Sequence, residues 1–330
     1  MQKQEQAILA YKKVIELSPR SFRIYFTLAR LYINRGQRKE AALLFRTILQ
    51  KASDTEVLRK AGQEAVELEW LSNSLAELER VVAPLVVSNS HKPIYRRILI
   101  KLLDRYVPEL TATLSHANAE KRSVAKAELS RLGTRGLRPL LEALADDGDT
   151  EQQEIAVSVL GYLGNLGAST PLVRLAMTDT KRASHTRIGV LRPSVEWKLR
   201  INALIAAGRL GDPRIIPDLI SLSSHKELAM REAAVFALGM TRAKKAMPAL
   251  LLAAKDSRKS VRTLACLGMA EINDPKALAL GISMVADESQ GDLPRAACAY
   301  LLGRKQNVRA MDALIEALSY GNDETQWLAA

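Results

Sequence analysis

The chain has 330 residues and a mass of 36.3 kDa, more than one compact domain usually holds, so two units or one stacked array are expected. With 48% hydrophobic and 25% charged residues, and only 17 glycines and 12 prolines, it is a folded chain; collagen-like, low-complexity and wholly disordered sequences are excluded. The formal charge of +12 favours an acidic partner such as nucleic acid, anionic lipid or an acidic protein surface, but residues 1–120 and 121–330 each contribute +6, so there is no basic tail.

No apolar run approaches the roughly 18 to 20 residues of a membrane span. Met1 opens onto the polar Gln2-Lys3-Gln4-Glu5-Gln6 with no following apolar segment, so no secretory signal is read and a cytoplasmic chain is expected. Cys266 and Cys298 lie inside apolar helical patterns, not in a spaced framework. Both are expected to be buried as small apolar residues in a reducing compartment, although neighbouring repeats could bring them close.

In chain order, the first signal is a 34-residue period. Ala7, Tyr11, Val14 and Pro19 are matched 34 residues later by Ala41, Phe45, Ile48 and Ser53. Tyr25, Leu28, Ala29 and Tyr32 supply the helix between them, and Gly36 the turn. These residues resemble the tetratricopeptide (TPR) pattern, in which large residues of one helix pack over small ones of the next. The predicted segments are TPR-like helices over 1–53 and transitional helical pairs over 54–90, with two amphipathic helices within 55–87.

From about residue 91 the period becomes 31. Arg122, Gln153, Arg200, Arg231, Arg262, Arg295 and Gln326 serve as reference positions, with one interval lengthened by an insertion of 16 residues. Three residues after each stands a small side chain: Ala125, Ala156, Ala203, Ala234, Ala265, Cys298 and Ala329. Eight after come Ser130, Gly161, Gly208, Gly239, Ala270 and Gly303, which predicts close helix crossings. Pro139, Pro171, Pro217 and Pro248 each open a second apolar helix, where a missing N–H costs nothing. Pro108 precedes Pro139 by the same interval, so an irregular earlier unit is expected to begin near His91. Turns such as Gly211-Asp212-Pro213, together with the Arg-x-x-Ala, Leu-Gly and Pro-x-Leu columns, resemble HEAT repeats of the phycobilisome-lyase type.

The predicted fold is therefore all-α, an elongated right-handed α-solenoid of stacked helix pairs. A HEAT-repeat array over 91–330 carries a basic insertion at about 179–196. The array starts after a partial TPR and stops a few residues past Gln326, so the chain is expected to be a fragment of a longer repeat protein.

Candidate sites follow from departures from the period. Arg200, Arg231, Arg262 and Arg295 could form a ladder for phosphates. The stronger expectation is structural: each ties its helix to the preceding turn, where Asp256 and Asp292 stand. The insertion contains Lys181, Arg182, His185, Arg187 and Arg192 without one carboxylate between them, on a long loop of the kind that often carries recognition. These five are the candidate residues for an acidic partner or a phosphate-bearing ligand. Trp197 is expected to anchor helix packing. The clusters Arg242, Lys244, Lys245 and Lys255, Arg258, Lys259 are read as solvated turns.

No catalytic, cofactor or metal constellation is recognised. His91, His116, His185 and His225 are scattered and none is followed by glutamate, the His-Glu signature of the HEAT-repeat di-iron enzyme deoxyhypusine hydroxylase. The expected function is a non-catalytic scaffold for protein partners, with an acidic partner surface favoured. Nucleic-acid binding ranks second, because residues 107–330 hold only six aromatic side chains on which bases could stack. An enzyme resembling the bilin lyases ranks third.

Overall fold

The computed structural model describes residues 2–71, 74–146, 148–178, 193–272, 274–305 and 308–320. Every regular element among them is helical, which gives the all-α solenoid of sequential helix pairs that the periodicity predicts. The chain divides into two compact units, residues 1–159 and 160–330.

The first unit holds α1 (Gln2–Leu17), α2 (Phe22–Asn34), α3 (Arg38–Lys51), α4 (Thr55–Leu71), α5 (Leu75–Ser88), α6 (Pro93–Thr113), α7 (Ala119–Arg135) and α8 (Leu137–Leu144). It also holds most of α9 (Thr150–Leu163). The TPR columns close its core: Tyr25, Leu28 and Ala29 of α2 are buried, as are Ala41, Phe45 and Ile48 of α3. Gly36 takes the left-handed φ of 73° in the turn joining these helices, a conformation that costs glycine little. The hydroxyl of Tyr25 donates to the Pro19 carbonyl at 3.0 Å, and that of Tyr95 to the Leu49 carbonyl at 3.1 Å.

Arginines cross-link these helices. Arg46 pairs with Glu69 of α4 at 2.6 Å and Glu77 of α5 at 2.8 Å. Arg131 of α7 pairs with Glu79 of α5 at 2.7 Å and with Glu128 at 2.6 Å. Burial pushes the Glu69 carboxyl up from the usual carboxylate range, whereas the hydrogen bond from Arg131 holds Glu128 below it.

α6 begins at Pro93, close to the expected start of an irregular unit near His91, and Pro108 lies inside this 21-residue helix. No turn residue separates it from the buried Leu102, Leu103, Tyr106 and Val107, and burial of that stripe keeps the chain helical through the proline.

The second unit continues with α10 (Ser169–Met177), α11 (Pro193–Leu210), α12 (Ile216–Leu222), α13 (Leu228–Met240), α14 (Met247–Ala253), α15 (Lys259–Ala270), α16 (Pro275–Ala286), α17 (Asp292–Lys305) and α18 (Met311–Tyr320). The first helices α11, α13, α15 and α17 pack consecutively, and each pair is completed by a second helix no longer than the first. Pro171, Pro217 and Pro248 fall in the first turns of α10, α12 and α14, where backbone N–H groups have no helical acceptor. The turns before α10, α12 and α14 begin with a left-handed residue, Gly164, Gly211 and Arg242, at φ 70°, 68° and 53°.

Ala125, Ala156, Ala203, Ala234, Ala265 and Cys298 are all buried. A Cβ added at Gly161 would lie 2.9 Å from the Ala206 Cβ. At Gly208 it would lie 2.6 Å from the Ala237 Cα, and at Gly239 2.4 Å from the Gly268 Cα. Each glycine eight residues after a reference position thus meets a residue six after the next one. Ala206, Ala237 and Gly268 form this second small column. Gly303 departs from the expectation, since nothing lies within 4 Å of its added Cβ.

Cys266 and Cys298 are buried as expected but not apart. They form a disulfide between α15 and α17, with Cα atoms 5.3 Å apart and both sulfurs 3.8 Å from the Met284 sulfur. Their offsets of four and three from consecutive reference positions bring them face to face where first helices pack.

Two measurements check this packing. Gly239→Leu is expected to lower stability by about 1 to 3 kcal/mol through overpacking, whereas Gly303→Ala is expected to leave the melting midpoint unchanged or to raise it slightly. Equal effects would show that the column has no common register with the crossings. Thiol titration of the denatured chain should find no free cysteine before reduction and two after it. Reduction should then cost about 3 to 4 kcal/mol if loop closure dominates; an unmoved midpoint would remove the cross-link from the stability of the unit.

Candidate functional site

The reference arginines turn inward. Arg122 Nη1 donates to the carbonyls of His116 and Ala117, both at 2.7 Å. Arg231 Nη1 does the same to His225 at 2.9 Å and Lys226 at 3.1 Å, and Arg262 Nη1 to Asp256 at 2.9 Å and Ser257 at 3.2 Å. Each guanidinium therefore closes the turn that precedes its own helix. Links to neighbouring repeats use the remaining donors: Arg231 Nε reaches Asp256 at 3.1 Å, Arg262 Nη2 the Gln290 carbonyl at 2.9 Å, and Arg200 Nε the Ala176 carbonyl at 2.7 Å. Arg295 Nε donates to the Val285 carbonyl at 2.9 Å. The structural expectation holds for Arg231 and Arg262; the bonds given for Arg200 and Arg295 go to carbonyls near the ends of α10 and α16, and the Asp256 carboxylate pairs with the arginine of the previous repeat, not with Arg262.

The same turns account for two of the histidines. Six residues before a reference arginine stand His116, His225 and Asp256. The side chain of each accepts from the backbone N–H two residues on, at 3.0, 3.1 and 2.8 Å respectively. Histidine Nδ1 here performs the task of a capping carboxylate. Trp197 packs as expected, with the Arg200 guanidinium 5.1 Å above its ring and the His225 ring 6.4 Å away.

At the opposite turns the charges are again tied down. The hydrogen bond from Arg214 holds the Asp212 carboxyl below its ordinary range, and Asp212 accepts from the Arg214 N–H at 2.9 Å. Glu271 joins Arg242 at 3.1 Å to Arg304 at 3.8 Å. Lys305 donates to the carbonyls of Ala270 and Ile272, and burial lowers its ammonium pKa. Lys244 and Lys245 remain exposed in the turn before α14.

Lys181, Arg182, His185, Arg187 and Arg192 lie outside the described residues, as do Gln326, Trp327 and Ala329.

The second helices also present an exposed side. These are short, and each buries one stripe: Ile216, Leu219 and Leu222 in α12, and Met247, Ala249, Leu250 and Ala253 in α14. Large apolar side chains remain on the other side: Met177 on α10, Ile220 on α12, Leu252 on α14, and Met311 and Ile315 on α18. Leu252 is 66% exposed. α14 touches α16, and α16 touches α18, so these elements lie side by side, with the apolar row interrupted at α16, which carries none of these exposed side chains. A helical-wheel count of α12 and α14 could have flagged the row, because Ile220 and Leu252 fall off the buried stripe.

Residues 2–63 match the family model for the tetratricopeptide repeat, and residues 186–265 that for HEAT repeats. The chain carries a TPR-type segment followed by HEAT repeats. No curated protein matches it. Among solved structures it is similar to human deoxyhypusine hydroxylase in complex with glycerol, with 16% identity, a TM-score of 0.28, and 69% of this chain and 94% of that one covered. It is also similar to an engineered protein, with 15% identity, a TM-score of 0.39, and 99% and 94% covered.

Arg262→Met would strip a donor from the carbonyls of residues 256, 257 and 290, and is expected to cost about 1 to 2 kcal/mol. Thermal melting checks it. A midpoint equal to that of the parent would free the guanidinium from the turn and return the arginine row to the surface.

Proposed function

We propose that this chain is a non-catalytic repeat scaffold that binds protein partners in complex assembly. TPR and HEAT repeats are generally protein-interaction scaffolds, and the observation that carries the reading here is the uncovered apolar row on the second helices of residues 160–330. Apolar surface of that kind, on helices held at fixed spacing, gains free energy when a partner excludes water from it.

The partner surface we propose is acidic at its edge, contacting Lys181, Arg182, His185, Arg187 and Arg192 of the insertion. In this reading residues 1–53 and 54–90 lead into a HEAT array over 91–330 that presents the row. A cytoplasmic location is part of the proposal and sets a condition on it: the Cys266–Cys298 bond must persist where thiols are normally kept reduced.

Deletion of residues 181–192 is expected to leave helicity and melting nearly unchanged. Capture of partners from native lysate should fall and become less sensitive to salt. Leu252→Asp, with the loop intact, should remove the same partners. If quantitative mass spectrometry finds one captured set for parent, deletion and Leu252→Asp alike, the scaffold reading of this face and loop is wrong.

A further inference from the structure

A second feature of the molecule lies wholly within residues 1–159. A cavity of about 400 Å³ opens between the C-terminal half of α5 and the start of α8. Its floor is Leu99 of α6, which is buried, and its walls include Ala83, Pro84 and Val87 of α5 and Pro139 of α8. Alanine and proline are too short to fill the space between these helices, and α8 has only eight residues with which to cover it. The volume falls within the roughly 300 to 1,000 Å³ of ligand-binding pockets.

The rim is basic. Arg135, in the last turn of α7, lines the cavity, is exposed, and has no ion pair or side-chain hydrogen bond among the described residues. Arg138 lies beside it, held only by a pair with Glu142 at 3.0 Å in which both side chains are solvent-exposed. Such solvent-exposed pairs contribute little and open readily for a competing carboxylate.

Two further observations select the occupant. Val87 is 79% exposed, so one wall faces solvent. A free small molecule seated here could not bury the 70 to 90% of its surface that such ligands usually bury. A peptide can, because it adds contacts along the open side beyond the cavity. The unpaired guanidinium next to an apolar floor complements a carboxylate next to an apolar side chain, and arginine can hold that carboxylate with two parallel hydrogen bonds.

We infer that this cavity is a docking site for a linear peptide segment of a partner protein, taking one large apolar side chain between Ala83, Val87, Leu99 and Pro139 and an adjacent aspartate or glutamate on Arg135. The inference rests on the scaffold reading for the class of its occupant, but it uses neither the 181–192 loop nor the second-helix row. The two therefore fail separately: the loop deletion leaves this cavity intact, and the variants below leave the loop intact.

The test is selection of a random linear peptide library, displayed on phage, against the whole chain. The best clone is then synthesised with a fluorescein label and titrated by anisotropy. The expected consensus has one large apolar residue with an acidic residue within two positions. Ala83→Leu, which fills the cavity, should weaken binding at least tenfold. Arg135→Glu should weaken the acidic peptide at least tenfold and its Asp→Asn or Glu→Gln version less than twofold. If Ala83→Leu does not fold by circular dichroism, Val87→Asp takes its place, since that side chain is mostly in water. No enrichment, a consensus without an acidic residue, or peptides that bind Ala83→Leu as tightly as the parent would each overturn the assignment. Peptides of the last kind would locate binding elsewhere and leave the scaffold reading standing.

Discussion

The second unit depends on one steric constraint, the near-contact of backbones where successive first helices cross. Gly161 against Ala206, Gly208 against Ala237 and Gly239 against Gly268 leave no space for a β-branched or longer side chain at either position. Helices that approach this closely gain dispersion contacts along their length and set the spacing of everything attached to them. The last described step differs. Ala270 and Leu301 occupy the corresponding positions, and here the Cys266–Cys298 disulfide also joins the two helices. A covalent tie appears at the step where the small pair is missing.

The second recurring device is electrostatic, and it changes what the net charge means. Arg122, Arg231 and Arg262 spend their donors on backbone carbonyls of their own turns, and Arg46 and Arg131 spend theirs on carboxylates that are almost wholly buried. These cations hold the fold together and are poor points of attachment for a polyanion. The charge of +12 therefore overstates the basic surface on offer. Lys244 and Lys245 in one turn and Arg135 beside the cavity are among the exposed cations outside these internal pairs.

Most of the architecture was legible because repeats report the same constraint several times. The buried column from Ala125 to Cys298, the glycines at 161, 208 and 239, and the prolines opening α10, α12 and α14 were all readable as spacings. Three features were not. The partner column Ala206, Ala237 and Gly268 looks like ordinary alanine usage until the crossing partners are known. Pro108 keeps the 31-residue interval without opening a helix, because helix continuation is decided by the apolar stripe around the proline. His116 and His225 resembled isolated histidines, since their equivalence to Asp256 depends on an acceptor atom, Nδ1, and not on charge. The candidate site was less legible still: Arg135 is one basic residue among 48, and only packing shows that it stands unpaired beside an unfilled space.

Where a partner could bind follows from how the two helices of a repeat are used. A first helix such as α13 buries Met230, Ala233, Ala234, Val235, Ala237, Leu238 and Gly239, that is, most of its circumference, because it meets α11, α15 and its own second helices. Little of it is left to offer. A second helix such as α12 has seven residues and buries three, so the remaining positions face outward whatever their chemistry. Ile220 and Leu252 at those positions are not required by stacking, since polar residues would satisfy the fold equally well. They sit on helices whose spacing is already fixed by the glycine crossings beneath them, so a partner would meet an apolar row that needs no ordering on binding. Preorganisation of that kind spares the entropy that flexible surfaces lose on association, and it places the binding potential of this unit on the one side of each repeat that its packing leaves unused.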